Sequence, residues 1–195
     1  MGMIPFSVPQ IDRGHIMVLL RCITKRCIYK GADTGRFERE FAEFIGVKYA
    51  VCFSSARFAL SLIYRYFGCK NKKVVIPAYT CIPALDAVRW SGAVPYFVDI
   101  DPRTYNPVFD ERLRGLNDIG AVSLSYLYGL IGDVGRFLEF AKDNNIPVVE
   151  DAAIALGGSC RGRKAGSLGD AAVFSLQSSK IITAWKGGVV TTDNE

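Results

Sequence analysis

An acid, a hydroxyl and an amine stand at the ends of three short apolar runs in the last quarter of this chain. Asp151 follows residues 147–149, Ser175 lies near the close of residues 171–176, and Lys180 sits in the loop before residues 188–192. Glycine, serine or charge bounds each run, the pattern of buried strands with polar ends. The carboxyl ends of neighbouring strands are where open α/β sheets bind ligands. A lysine amine condenses with carbonyl compounds once some of it is unprotonated. A carboxylate against a pyridine nitrogen keeps that nitrogen protonated, so the ring can accept an electron pair from a substrate's α-carbon. Hydroxyls and free backbone amides hold phosphate. The three groups together suit pyridoxal 5'-phosphate: Lys180 for the aldehyde carbon, Asp151 for the ring nitrogen, Ser175 as one hydroxyl for the phosphate.

Those groups need a sheet to position them. Apolar runs at 50–53, 73–76, 94–98 and 121–126 add four strands to the three above. Between them lie helical stretches. Phe37, Phe41, Phe44 and Ile45 recur at helical spacing and Gly46 ends them. A second helix starts at Ser54 or Ser55 as cap and ends at Gly68; others run over about 83–90 and 132–145, the last with Val134, Phe137, Leu138 and Ala141 inward. Residues 16–23 are the best helical candidate in an otherwise irregular start. Seven strands interleaved with helices predict an α/β fold, a mostly parallel seven-stranded sheet with helices on both faces. The last two strands, joined by the Lys180 loop, form its candidate antiparallel pair. The turn at Ser55 would present free amides to an anion.

Composition is consistent with this. With 195 residues, half of them hydrophobic, the chain can build one good core. No apolar run approaches the roughly 18 residues of a membrane span. The start, MGMIPFSVPQ, lacks the marks of a signal peptide, so the expected location is the cytoplasm, without membrane attachment. Six cysteines with no CxxC pair, beside a single histidine, read as reduced thiols rather than metal ligands. The net charge of +5 gathers at 25–30, 70–73 and 161–164. No nucleic-acid motif accompanies it, so it reads as solvated surface that would also suit an anionic substrate. A nicotinamide-binding fold is disfavoured because no GxGxxG follows the first strand.

The motifs resemble a known family. EDAA at 150–153, ALG at 155–157, FS at 174–175 and a lysine five residues after that serine, followed by ITxxxGG, resemble the pyridoxal-phosphate sugar aminotransferases of the DegT/DnrJ/EryC1/StrS group. So do FEREFAEFIGVKYAV, SARFAL, VVIPAYT, GAVPYFVDIDPRTYN and YGLIGD upstream, which extend the likeness over nearly the whole chain. Many motifs in one order make chance unlikely.

The resemblance implies the aspartate aminotransferase fold, with catalytic Lys180 and Asp151. Cofactor contacts would come from Ser55, Ala56 and Arg57, where the family usually has serine, glycine and threonine, and from Cys81, where an aromatic ring often stands. Ile154 replaces a usual glutamine or histidine, and Lys186 a frequent glutamate. The implied reaction moves an amino group from glutamate or glutamine to a nucleotide-linked keto-sugar, in a homodimer. Lys180 would carry the proton as general acid and base; in the family's dehydratases that lysine is a histidine. Residues 1–36 would be an N-terminal arm and helix, and residues 37–195 the large domain, incomplete at its end and without the small second domain. A non-catalytic remnant, or one half of a split enzyme, is the alternative.

Overall fold

The computed structural model describes residues 12–24 and 31–195. The opening decapeptide, Cys27 and the basic cluster at 25–30 lie outside the described residues. Helix α1, Arg13–Thr24, contains the predicted 16–23 segment and leaves Ile16, Met17, Leu19, Leu20 and Ile23 exposed. Arg21 pairs with Asp33 at 2.6 Å, tying α1 to α2, Ala32–Ile45. Gly46 ends α2 in the left-handed region (φ 89°), its N–H donating to the Ala42 carbonyl at 2.8 Å. Helix α2 begins five residues before Phe37. Phe41, Ala42 and Ile45 are buried, whereas Phe44 faces outward beneath the Lys164 ammonium.

The chain then alternates strand and helix. It runs through β1 (Tyr49–Phe53), α3 (Ala56–Tyr66), β2 (Lys73–Pro77), α4 (Ile82–Trp90), β3 (Val94–Val98), β4 (Ile119–Ser125), α5 (Gly135–Asp143) and β5 (Val148–Asp151). A small hairpin, β6 (Ser159–Cys160) with β7 (Arg163–Lys164), precedes β8 (Ala171–Ser175) and β9 (Gly188–Thr192). The main sheet has seven strands in the order β1-β9-β8-β5-β4-β2-β3. Strands β3, β2, β4, β5 and β8 pair in parallel, and β9 is antiparallel to both β8 and β1. The expected α/β fold and the antiparallel exception at the Lys180 loop are both present.

Alternation along the strands splits the core in two. Val74 and Ile76 of β2 face α3 and α4, meeting Leu60, Ile63, Tyr64 and Val88. Val75 faces the other way, into a core with Phe41 and Ile45 of α2 and Phe137 and Phe140 of α5. Helices therefore cover both faces. On α5, Phe140 supplies a buried ring and Leu138 is only partly buried, so the inner face is rotated slightly from the predicted one. Tyr64 crosses its layer to donate a hydrogen bond to Ser123 Oγ at 2.8 Å. No helix among the described residues is long and apolar enough to cross a membrane.

Candidate functional site

A cleft of about 470 Å³ opens at the carboxyl ends of β4, β5 and β8, between the starts of α3 and α4 and the loop that leads into β9. Ser55, Ala56, Arg57, Cys81, Asp151, Ser175 and Lys180 all line it. Sequence spacing placed them on four separate segments; the parallel crossovers bring them together.

Asp151 ends β5 and its Oδ1 accepts the Ala153 N–H at 3.2 Å. Burial pushes its carboxyl above the ordinary aspartate range, against the opposing pull of that N–H and of the Lys180 charge. Lys180 is partly buried, and its backbone N–H donates to the Gln177 carbonyl at 2.9 Å. Ser175 ends β8 and its Oγ accepts the Gln177 N–H at 3.4 Å. The Leu176 carbonyl gathers the rest of the loop, accepting the Ala184 N–H at 3.0 Å and the Thr183 hydroxyl at 3.3 Å. A strand that turned directly into β9 would have no room for Lys180; this closed loop holds it over the strand ends.

The start of α3 is built by Ser55, which is extended (φ −159°). Its Oγ accepts the Phe58 N–H at 3.1 Å and its carbonyl the Ala59 N–H at 3.0 Å. Within the first turn that leaves the Ala56 and Arg57 amides, which have no intrahelical acceptor. Strand β9 presses close here. A Cβ added to Gly188 would lie 2.6 Å from Ala56 N and Cα, both backbone atoms. Gly188→Ala is therefore expected to force β9 and α3 apart, costing about 1–3 kcal/mol. Denaturant titration checks the loss, and an unchanged midpoint would contradict the close approach.

The Arg57 side chain turns toward α4. Its guanidinium pairs with Asp86 of α4 at 3.3 Å and lies 5.4 Å from the Trp90 ring centroid. It staples α3 to α4 at the cleft wall. Cys81 caps α4 without a side-chain hydrogen bond and is exposed. Ile154 and Lys186 also line the cleft, as do Ser125, Tyr126, Gln177 and Trp90. Among the described residues, no group of three or more His, Cys, Asp or Glu side chains could hold a metal.

Sequence reasoning gave no role to Glu150, next to Asp151. It is fully buried on the opposite side of β5, where Oε2 accepts the Tyr126 hydroxyl and the Gly166 N–H, both at 2.9 Å. Oε1 accepts the Leu168 and Gly169 N–H groups at 2.7 and 2.8 Å. The signal was available: an acid inside the apolar run VVED has to be hydrogen-bonded.

Residues 9–195 match the DegT/DnrJ/EryC1/StrS aminotransferase family. The chain belongs to that family. It is 37% identical to a GDP-perosamine synthase of Caulobacter vibrioides over 98% of this chain and 53% of that protein. It is 34% identical to a UDP-4-amino-4,6-dideoxy-N-acetyl-beta-L-altrosamine transaminase of Campylobacter jejuni over 99% of this chain and 52% of that protein. Its fold superposes on the aminotransferase of Psychrobacter cryohalolentis with a TM-score of 0.89 at 28% identity, covering 97% of this chain and 50% of that one. A Streptococcus pneumoniae family relative has been solved in its PLP form, with a TM-score of 0.90 at 27% identity over 98% of this chain and 53% of its own. The chain thus spans about half the length of the curated relatives it matches. Family membership gives the cleft its context: the family uses pyridoxal phosphate.

Proposed function

We propose that this chain forms the cofactor-holding part of a pyridoxal-phosphate-dependent aminotransferase. It would act on a nucleotide-linked keto-sugar, with glutamate or glutamine as donor, in glycan or secondary-metabolite biosynthesis. The observation that carries this reading is the convergence of Lys180, Asp151, Ser175 and the start of α3 in one cleft. The donor set fits the group. Two free amides and a hydroxyl suit a phosphate, a half-buried carboxyl whose burial makes it costly to ionise suits a protonated ring nitrogen, and a lysine lies close enough to Asp151 to act on its charge.

When bound, pyridoxal phosphate supplies an electron-accepting ring and a reversible carrier for the amino group. The chain does the rest. Lys180 Nζ would hold the cofactor and would carry the proton at the substrate's α-carbon as general acid and base. Asp151 would keep the ring nitrogen protonated. Ser55 orders the α3 start, so that the Ala56 and Arg57 amides, with Ser175, would hold the phosphate, and Cys81 would contact the cofactor. Arg57 contributes by its backbone, since its guanidinium is committed to Asp86. We further assign residues 1–36 to an arm preceding the large domain, a homodimer as the working assembly, and the cytoplasm as its location.

Ile154 favours a second reading. An apolar side chain in the cleft where the family usually hydrogen-bonds suits a chain that holds the cofactor without turning it over, or that needs a second polypeptide. Borohydride reduction after incubation with pyridoxal phosphate, followed by peptide mass analysis, separates these from no cofactor function at all. A pyridoxyl adduct confined to Lys180 and lost in Lys180→Ala is the expected result. Folded protein without that adduct would end the aminotransferase reading. Turnover with the adduct in place decides between the first reading and the second.

A further inference from the structure

Three clustered tyrosines adjoin residues that line the cleft and have no role in the reading above. Tyr79 is two residues before Cys81, and Tyr128 follows Leu127; Cys81 and Leu127 both line the cleft. Tyr105 comes from the connection after β3. The Tyr79 and Tyr105 ring centroids are 5.5 Å apart and those of Tyr105 and Tyr128 are 5.2 Å apart. The Tyr79 and Tyr128 hydroxyls share a hydrogen bond of 3.0 Å. All three rings are exposed, Tyr128 to 66%.

The cluster is built rather than incidental. Tyr105 and Tyr128 both take left-handed backbone conformations (φ 57° and 61°), which bulky side chains rarely adopt. A clamp holds them there. Asn106, buried next to Tyr105, donates through Nδ2 to the Leu130 carbonyl at 3.1 Å and the Thr104 carbonyl at 3.0 Å, fastening one tyrosine's loop to the other's turn. Gly132 makes room for it, since a Cβ there would lie 2.6 Å from Asn106 Cβ. The turn itself rests on the cleft wall: a Cβ on Gly129 would lie 3.1 Å from the Ile154 carbonyl oxygen.

We propose that Tyr79, Tyr105 and Tyr128 form the platform on which the nucleobase of a nucleotide-sugar substrate stacks. This rests on the aminotransferase reading above. Pockets for one drug-sized ligand measure roughly 300–1,000 Å³, so a cleft of about 470 Å³ that already holds a cofactor has little room for a whole nucleotide-sugar. The nucleoside end is the part left for the surface beside the cleft, where these rings are. Aromatic faces hold any base by stacking, without a dedicated hydrogen-bonding pocket.

The test is equilibrium binding of GDP and of UDP to the purified chain, followed by calorimetry, for the native protein and for Tyr79→Ala, Tyr128→Ala and Tyr128→Phe. Saturable binding that weakens about 5- to 150-fold in each alanine variant, the equivalent of ~1–3 kcal/mol per stacked base, is expected. Tyr128→Phe keeps the ring and should keep the affinity. Retention of the Lys180 adduct in the variants shows that the cleft is intact, so lost affinity there reports on the platform and not on folding. No saturable binding of either nucleotide, or equal affinity in native and alanine proteins, overturns the proposal. So does a variant that changes only the oligomeric state, which would make the cluster a contact between copies of this chain. Failure of the adduct alongside tyrosine-dependent nucleotide binding would remove the cofactor reading and leave the platform standing.

Discussion

Replacing Glu150 with alanine is expected to cost this protein most of its stability. The side chain is fully buried and accepts four hydrogen bonds, from the Tyr126 hydroxyl and the Gly166, Leu168 and Gly169 amides. Alanine would strand all four donors out of reach of water. At about 1–3 kcal/mol for each buried group left unpaired, the loss rivals the roughly 5–15 kcal/mol that holds a typical domain together. The 166–169 loop has little freedom to find other partners. A Cβ on Gly166 would sit 2.5 Å from the Phe174 ring, and one on Gly169 would sit 2.6 Å from the Val148 carbonyl oxygen, so the loop is already pressed against β8 and β5. Glu150→Gln is the informative control. One amide oxygen can still accept two N–H groups, but the amide nitrogen then faces a hydroxyl that can turn and a backbone N–H that cannot. One orphaned pair should cost about 1–3 kcal/mol. Urea unfolding should place glutamine between the native protein and alanine in midpoint. Equal midpoints for the two variants would mean that the charge, rather than the donor count, is what the loop requires.

The positions of the seven strands were legible because each is an apolar run closed by glycine, proline or a polar residue, and burial on both faces leaves no other pattern for a central strand. The antiparallel β9 was legible for a related reason: a connection of a dozen residues with little helical character joins neighbouring strands without a crossover. Helix α2 was read from its phenylalanines, which located the packed face but not the start. Its first turn, from Ala32, touches little of the core and carries no periodicity to read. The same blindness hid β6 and β7, two residues each, since period two needs more than one repeat to show.

The site divides in the same manner. Asp151, Ser175 and Lys180 could be placed because each ends or follows a strand, and strand ends in such sheets converge. The fate of the Arg57 guanidinium could not, because Asp86 and Trp90 lie on another helix and only the packing of α3 on α4 brings them within reach. The tight contact of Gly188 with Ala56 is hidden for the same reason: it joins residues far apart in sequence through the β1–β9 pairing. Chemistry that hangs on one element is readable from that element. Chemistry that spans two requires the fold.

Asp151→Asn is expected to stabilise the cofactor-free protein at neutral pH and to weaken it once pyridoxal phosphate is present. Burial holds the Asp151 carboxyl above its ordinary value of 3.8, with the Ala153 N–H and the Lys180 charge only partly offsetting this. An acid whose folded pKa is raised binds its proton more tightly folded than unfolded. Its contribution to stability is therefore whole below 3.8 and is lost as pH rises through the folded value. Asparagine never ionises and suffers no such loss. Its melting temperature should exceed that of the native protein at neutral pH, by about 2–4 °C for each kcal/mol relieved, and the gain should shrink to nothing as the pH falls toward the ordinary aspartate value. A saturating cofactor reverses the order. A protonated ring nitrogen would give the ionised Asp151 the cation it lacks, so the native protein is expected to bind more tightly and to gain more from mass action than the variant. Thermal melts at neutral and acidic pH, each with and without pyridoxal phosphate, contain the whole argument. If the cofactor raises both proteins equally, Asp151 does not meet the ring. If the cofactor-free melts coincide at neutral pH, the cleft is wet enough that the carboxylate was never strained by its burial.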